Sequence, residues 1–344
     1  MKSRFSIILL IPLLALVTVL PDLLASSSPE NTRFLGPTAD SRRRSALDEG
    51  TGDAFWPLAA YNVAGPGKFY GPATEEAAEN LASPLTEPAS PRTGDVLLAY
   101  KDSVKNGYNF LLYVPERYYQ DEEADLPVLV CLHGKSLRGN NLNQVTRYGC
   151  IDALRRGRPI DALVICPQCP SDANWDADRV MAVVDWVAER YRTDQDRLYV
   201  FGMSMGGWGT FKVVAQYPDR VAAAIPMCGG FTGDPTPMGD VPLWIIHGVA
   251  DDITRISFST SIVEQLEKSG HYDRLRFTWL EGCNHSILIR VFLLEAPYKW
   301  LFSHTLKDPD RLVNFDYDVT PADLNAAYTR LNPEKAQQLP VLKP

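Results

Sequence analysis

The sequence predicts an α/β fold, a mostly parallel sheet with helices on both faces. Two observations carry this. Short, nearly continuous apolar runs such as "LPVLVCLHG", "DALVICP" and "PLWIIHG" read as strands buried on both sides. Between such runs lie stretches with apolar residues at helical spacing, among them Val180, Val183, Val184 and Val187. Strands that alternate with helices are joined by right-handed crossovers, which lay helices on both faces of one sheet.

The elements follow in order along 344 residues, enough for one large domain or two ordinary ones. "MKSR" is basic, "FSIILLIPLLALVTVL" is apolar and "PDLLASSS" turns small and polar, the layout of a secretory signal peptide over residues 1–25. Pro12 interrupts the apolar core and Pro21 and Asp22 stop it, short of the roughly 20 residues of a membrane span. The expectation is a secreted or periplasmic protein, with membrane contact only if this segment stays uncleaved. Residues 26–94 are rich in Pro, Gly, Ser and Ala and show no sustained period, so they read as an extension or linker. Within them Phe55, Trp56, Tyr61, Phe69 and Tyr70 are concentrated in one patch, which reads as packing onto the domain.

Residues 95–306 carry the alternating pattern. Strands are expected over Asn109 to Pro115, Leu126 to Gly134, "DALVICP", Arg197 to Gly202, "VAAAIPMCG", "PLWIIHG" and "LRFTWL". Helices are expected over "ADRVMAVVDWVAERY", from about Gly207 to Tyr217, over Ser257 to Lys268 and near Ala296 to His304. The tail, residues 307–344, is polar and reads as peripheral.

Composition narrows the function. Apolar residues at 45% and charged ones at 22% fit an ordinary soluble domain. A net charge of −8 argues against a nucleic-acid partner, because binding a polyanion needs a basic surface. No zinc-finger spacing, P-loop or dinucleotide glycine fingerprint is present. "CPQCP", with Cys166 and Cys169, has no second ligand pair for zinc and is hemmed by prolines, so it reads as a loop at a strand end rather than a metal or redox site. No metal or cofactor is expected. An oxidising compartment would permit disulfides, and Cys228 and Cys283, each just past a strand, leave one pairing open.

"YVFGMSMGGWGTF" holds the chemistry. Gly-x-Ser-x-Gly alone arises by chance in about one chain in ten of this length, at roughly 7% usage each of Gly and Ser. Here it follows a strand directly and opens a helix, the setting of a nucleophile held out on a strained turn. Ser204 is the candidate nucleophile. A serine hydroxyl needs a base, and around such an elbow the acid and then the histidine follow on later strand ends. His133 precedes the serine, and His247 precedes any good acid. His271 sits in a polar turn, and His304 lies near a helix end. His285 alone follows a late strand by a few turn residues, so it is the candidate base. The acid should follow the preceding strand, where Asp251 and Asp252 both stand. The backbone N–H groups of Lys135, after an early buried strand, and of Met205, after the serine, are candidate oxyanion donors. His133 reads as a loop-shaping residue. Arg138, Gln168 and Trp175 are candidates for lining a substrate pocket.

"LHGKSLRGNN", "PQCP", "DRLYVFGMSMGGWGTF", "YPDRVAAAIPMCGG", "HGVADD" and "NHS" together resemble α/β-hydrolases of the secreted esterase and "predicted peptidase" group, relatives of feruloyl esterases and polyhydroxybutyrate depolymerases. The resemblance covers about Gly94 to Leu306. It implies the α/β-hydrolase fold, serine hydrolysis, and Asp251 rather than Asp252 as the acid. It also implies a small-molecule or polysaccharide-linked ester as substrate. A serine peptidase acting on short peptides is the alternative; peptidases of this kind carry a propeller domain, for which residues 26–94 are too few. A non-catalytic, hydrolase-like binding protein would be expected to have lost a member of the Ser204, Asp251, His285 set.

Overall fold

The computed structural model describes residues 94–344. The expected signal segment and nearly all of the extension, with its aromatic patch, lie outside the described residues. The domain begins with β1 (Val96–Tyr100) and β2 (Asn109–Val114), an antiparallel pair. Then come α1 (Arg117–Gln120), β3 (Leu126–Leu132), α2 (Cys150–Arg155), β4 (Leu163–Gln168), α3 (Ala177–Ala188), β5 (Thr193–Met203) and α4 (Met205–Gln216). The second half holds β6 (Ala223–Met227), β7 (Leu243–Gly248), α5 (Ser257–Lys268), β8 (Leu275–Leu280), α6 (Ala296–Phe302), α7 (Pro321–Ala326) and β9 (Val341–Leu342). The nine strands form one sheet in the order β8-β7-β6-β5-β3-β4-β2-β1-β9. From β4 through β3 to β8 every neighbouring pair is parallel, and β2 runs antiparallel to both β4 and β1.

Alternation along each strand feeds two separate cores. Leu129 and Cys131 of β3, with Tyr199, Phe201 and Met203 of β5, pack on the face covered by α2, α6 and α7. Val128, Val130 and Leu132, with Leu198 and Val200, pack on the opposite face, against α3, α4 and α5. Both faces are apolar, which is why the strands read as continuous apolar runs instead of alternating ones.

The structure departs from the sequence reading in three places. The strand β1 pairs with β2 through the short run "VLLAY", which was not expected. "CPQCP" is strand through Gln168, because Leu111 of β2 pairs with Cys166 and Asn109 with Gln168; the loop starts only at Cys169. The tail is not peripheral. The strand β9 pairs with β1, Val319, Leu324, Ala327 and Leu339 are buried in the core beside α2, and the Thr320–Asp323 capping box starts α7. These buried positions lack a strand or helix period, so pattern alone left them unread. The pairing of Cys228 with Cys283 that the sequence leaves open is not formed: both are free thiols, as are the other four cysteines.

Candidate active site

Three crossover ends meet at the C-terminal edge of the sheet. The strand β5 runs without a break into Ser204, whose backbone has φ 58° and ψ −123°, strained for a residue with a side chain. The turn is pinned from both sides. The Ser204 N–H donates to the Met227 carbonyl at 2.9 Å, and the Trp208 N–H donates to the Ser204 carbonyl at 3.0 Å. The strain lifts the hydroxyl off the end of the sheet, at the N-terminus of α4.

His285 comes from the loop after β8 and is 2% exposed. Its Nε2 lies 3.0 Å from Ser204 Oγ, and its Nδ1 lies 2.7 Å from Asp251 Oδ2. A carboxylate only accepts, so Nδ1 carries the proton and Nε2 presents its lone pair to the serine. Asp251 follows β7 and is buried. Its Oδ1 accepts the N–H groups of Ile253 at 2.9 Å and Thr254 at 2.8 Å. Burial pushes this carboxyl up, but the hydrogen bonds from His247, His285 and the Thr254 N–H outweigh it and hold the group well below the usual carboxylate range.

Asp252, one residue along, is exposed. It does not cap α5, whose N-cap is Ile256 with no side-chain bond. The carboxylate of Asp251 itself satisfies the turn amides instead. His271 packs against Gly239, and His304 donates through Nδ1–H to the Trp300 carbonyl at 2.7 Å; neither bonds to Ser204.

The loop after β3 lies against the serine, since a Cβ on Gly134 would stand 3.4 Å from Ser204 Cβ. Lys135 begins a 3₁₀ turn (Lys135–Leu137) and Met205 begins α4. The first amides of a helical turn lack an intrahelical acceptor and stay available. The Gly134 N–H, by contrast, is taken by the Tyr148 hydroxyl at 2.8 Å.

His133 braces this loop. Its Nδ1 sits 2.7 Å from the Gly134 carbonyl and its Nε2 accepts the Cys169 N–H at 3.1 Å. Burial is the main cause that pushes its imidazole down to about 4. Two of the three residues expected in a pocket serve the same loop from behind. Trp175, 2% exposed, donates through Nε1 to the His133 carbonyl at 3.0 Å. Gln168, also buried, donates through Nε2 to the carbonyls of Leu137 at 2.9 Å and Asn141 at 3.0 Å. Buried loop carbonyls need donors, and both side chains supply them. Arg138 stays partly exposed and donates to the Ala173 carbonyl at 2.9 Å.

Sequence reasoning missed two neighbours. His247, set aside because it precedes the acid, lies with Nε2 3.4 Å from Asp251 Oδ2. The signal that could have found it is the spacing: a histidine at the end of a buried strand, four residues before the acid. The other neighbour is Cys228. One ligand atom each from Cys228, Asp251 and His285 lies within 4.8 Å of the others, the one such group found among the described residues. Two of these residues are already committed to hydrogen bonds, and burial pushes the Cys228 thiol up, away from the thiolate a metal needs.

Comparison with known proteins agrees with this architecture. Residues 171–232, the segment centred on the serine turn, match the model of the prolyl oligopeptidase family. The chain is 31% identical over 87 residues to the bifunctional acetylxylan esterase/xylanase XynS20E of Neocallimastix patriciarum, covering 25% of this chain and 12% of that one. It is 33% identical over 85 residues to the putative esterase NocK of Nocardia uniformis subsp. tsuyamanensis, covering 24% of this chain and 25% of that one. The chain therefore spans between an eighth and a quarter of the length of the curated relatives it matches. Among solved structures, a thermostable esterase superposes with a TM-score of 0.50 at 24% identity, over 61% of this chain and 63% of that one. With β2 antiparallel in an otherwise parallel core and the serine turn between β5 and α4, the chain has the α/β-hydrolase fold.

Proposed function

We propose that this protein is an exported serine hydrolase that cleaves a carboxylic ester through an acyl-enzyme. The observation that carries the reading is the unbroken series Ser204 Oγ, His285 Nε2, His285 Nδ1 and Asp251 Oδ2, at 3.0 and 2.7 Å, on a strained serine turn.

The steps follow from it. Ser204 Oγ attacks the ester carbonyl carbon while His285 Nε2 takes the hydroxyl proton. The carbonyl π pair moves onto oxygen, where the N–H groups of Lys135 and Met205 receive the negative charge. Such a donor is worth about 3 kcal/mol. Collapse expels the alkoxide, which leaves as the alcohol with the proton held by His285. Water then repeats the sequence against the acyl-enzyme, releasing the acid and restoring Ser204. Asp251 orients the ring and stabilises its protonated form throughout.

A polysaccharide-linked acyl group is the proposed substrate class. It is supported by a relative named as an acetylxylan esterase/xylanase, and export is supported by the layout of residues 1–25. Peptide cleavage by the same groups is the second reading, favoured by the match to the prolyl oligopeptidase family. That match is confined to the serine segment, which both chemistries share. A panel of chromogenic acyl esters, acetylated and feruloylated sugars and chromogenic peptide amides separates the two. Turnover of esters with little on amides supports the reading, and the reverse order overturns it.

A further inference from the structure

His247 is the penultimate residue of β7, with its side chain fully buried. Its Nε2 faces two groups that can only accept, the Thr254 carbonyl at 2.8 Å and Asp251 Oδ2 at 3.4 Å. Nε2 therefore carries a proton. Its Nδ1 lies 2.8 Å from Ser259 Oγ on α5, and that oxygen lies 2.9 Å from the Gly229 carbonyl. The ring is tethered at both nitrogens, between the turn that carries Asp251 and the helix that follows it. Asp251 Oδ2 thus has two imidazole neighbours, His285 at 2.7 Å and His247 at 3.4 Å, on opposite errands.

We propose that His247 is a positioning residue for the hydrolytic site, acting through Asp251: its Nε2–H holds the 251–254 turn by the Thr254 carbonyl and draws charge from the Asp251 carboxylate. This rests on the serine hydrolase reading. A carboxylate with the positive end of a second N–H dipole beside it holds a neighbouring imidazolium less strongly than one without, even where that N–H makes its hydrogen bond to the adjacent Thr254 carbonyl. His247 would then keep the base from being protonated too early as the medium becomes acidic. Among the described residues, the titratable groups that face Asp251 are His247 from β7, His285 from the loop after β8 and Cys228 from the loop after β6. Asp252 and Arg255, on the same turn, are exposed.

The test is the rate of fluorophosphonate labelling at Ser204 against pH, which needs the serine and its base but no ester substrate. In His247→Leu, which removes the donor at similar bulk, the acid limb should move up by about one pH unit, or about tenfold slower labelling at any pH below it. His247→Gln, which restores an N–H at similar reach, should return the limb toward the wild-type position. Should His247→Leu not fold, Ser259→Ala cuts the ring's other tether and should move the limb in the same direction by less. A role in stability alone would lower the melting temperature and leave the limb in place. That result, or a limb moved equally by Gln and Leu, overturns the proposal. Labelling of the wild type without any ester turnover would overturn the ester reading and leave this measurement intact. A wild type that does not label overturns both.

Discussion

Gly206 packs against the carbonyl oxygen of Leu132, so closely that a Cβ on it would stand 1.9 Å from that oxygen. The end of β3 and the first turn of α4 are thus in backbone contact, and the loop carrying Lys135 is set directly against the turn carrying Ser204. A Cβ on Gly202 would meet the Gly206 carbonyl oxygen at 2.3 Å, so the turn is closed from its other side as well. The motif needs both glycines for close approach of backbone, a requirement separate from the strained φ at the serine.

Gly206→Ala should therefore force β3 and α4 apart. Overpacking costs about 1–3 kcal/mol where side chains can yield, and here the obstacle is backbone. The expected outcome is a lower melting temperature together with a loss of activity larger than the loss of folded protein. Wild-type kcat/KM in a fully folded Gly206→Ala would contradict the close approach.

Asp251→Asn should fold and be nearly inactive, because an amide permits the wrong imidazole tautomer; the comparable loss in a well-studied triad is about 10⁴ in kcat. Asp252→Asn should keep wild-type kcat and, with no cap to lose, wild-type stability within about 0.5 kcal/mol. Kinetics and thermal melts on both variants check this, and an inactive Asp252→Asn would move the acid one residue along.

His133 makes stability depend on pH in a window that can be stated. Its folded imidazole titrates at about 4 against an ordinary 6.5, so between these values the unfolded chain binds a proton that the folded chain refuses. The contribution is fully present above pH 6.5 and is lost as pH falls toward 4. At 1.36 kcal/mol per unit this amounts to about 3 kcal/mol. Urea unfolding at pH 7 and pH 4 should show the wild type losing about that much more than His133→Gln. Asp251, depressed below the usual carboxylate range, begins to lose its contribution as pH falls through that range near 4, and does so equally in both proteins, so the difference between them reports His133. Equal losses in the two proteins would contradict the buried, neutral histidine.

Leu324 lies in the stretch that reads as a polar tail, yet it is fully buried in the core beside α2. Leu324→Ala should cost about 2–5 kcal/mol, the ordinary range for a buried leucine. A cost below 0.5 kcal/mol, measured by denaturant unfolding, would return the tail to the periphery.

Sheet, serine turn and acid–base pair were legible because each leaves a local mark. Ser204 sits between glycines at a strand–helix junction, and His285 and Asp251 follow later strand ends. What was hidden depends on contacts between distant segments. Trp175 and Gln168 carry the marks of pocket residues, and only the loop folded over them shows that they serve the carbonyls of His133, Leu137 and Asn141. His247 precedes Asp251 in the chain, and chain order says nothing of a ring that the fold brings to 3.4 Å from the Asp251 carboxylate. The buried residues of the tail have no period because they fill gaps left by α2 and β1, whose shapes no local pattern records.

Ser204 is the residue on which the proposed chemistry depends. The direct measurement is to react the purified protein with a fluorophosphonate and locate the adduct by peptide mass mapping, in the wild type, Ser204→Ala and His285→Ala. One adduct per chain on the peptide containing Ser204, absent from Ser204→Ala and slowed by several orders of magnitude in His285→Ala, is the predicted result. Labelling of Ser204→Ala at the wild-type rate, or an adduct on any other residue, would contradict it.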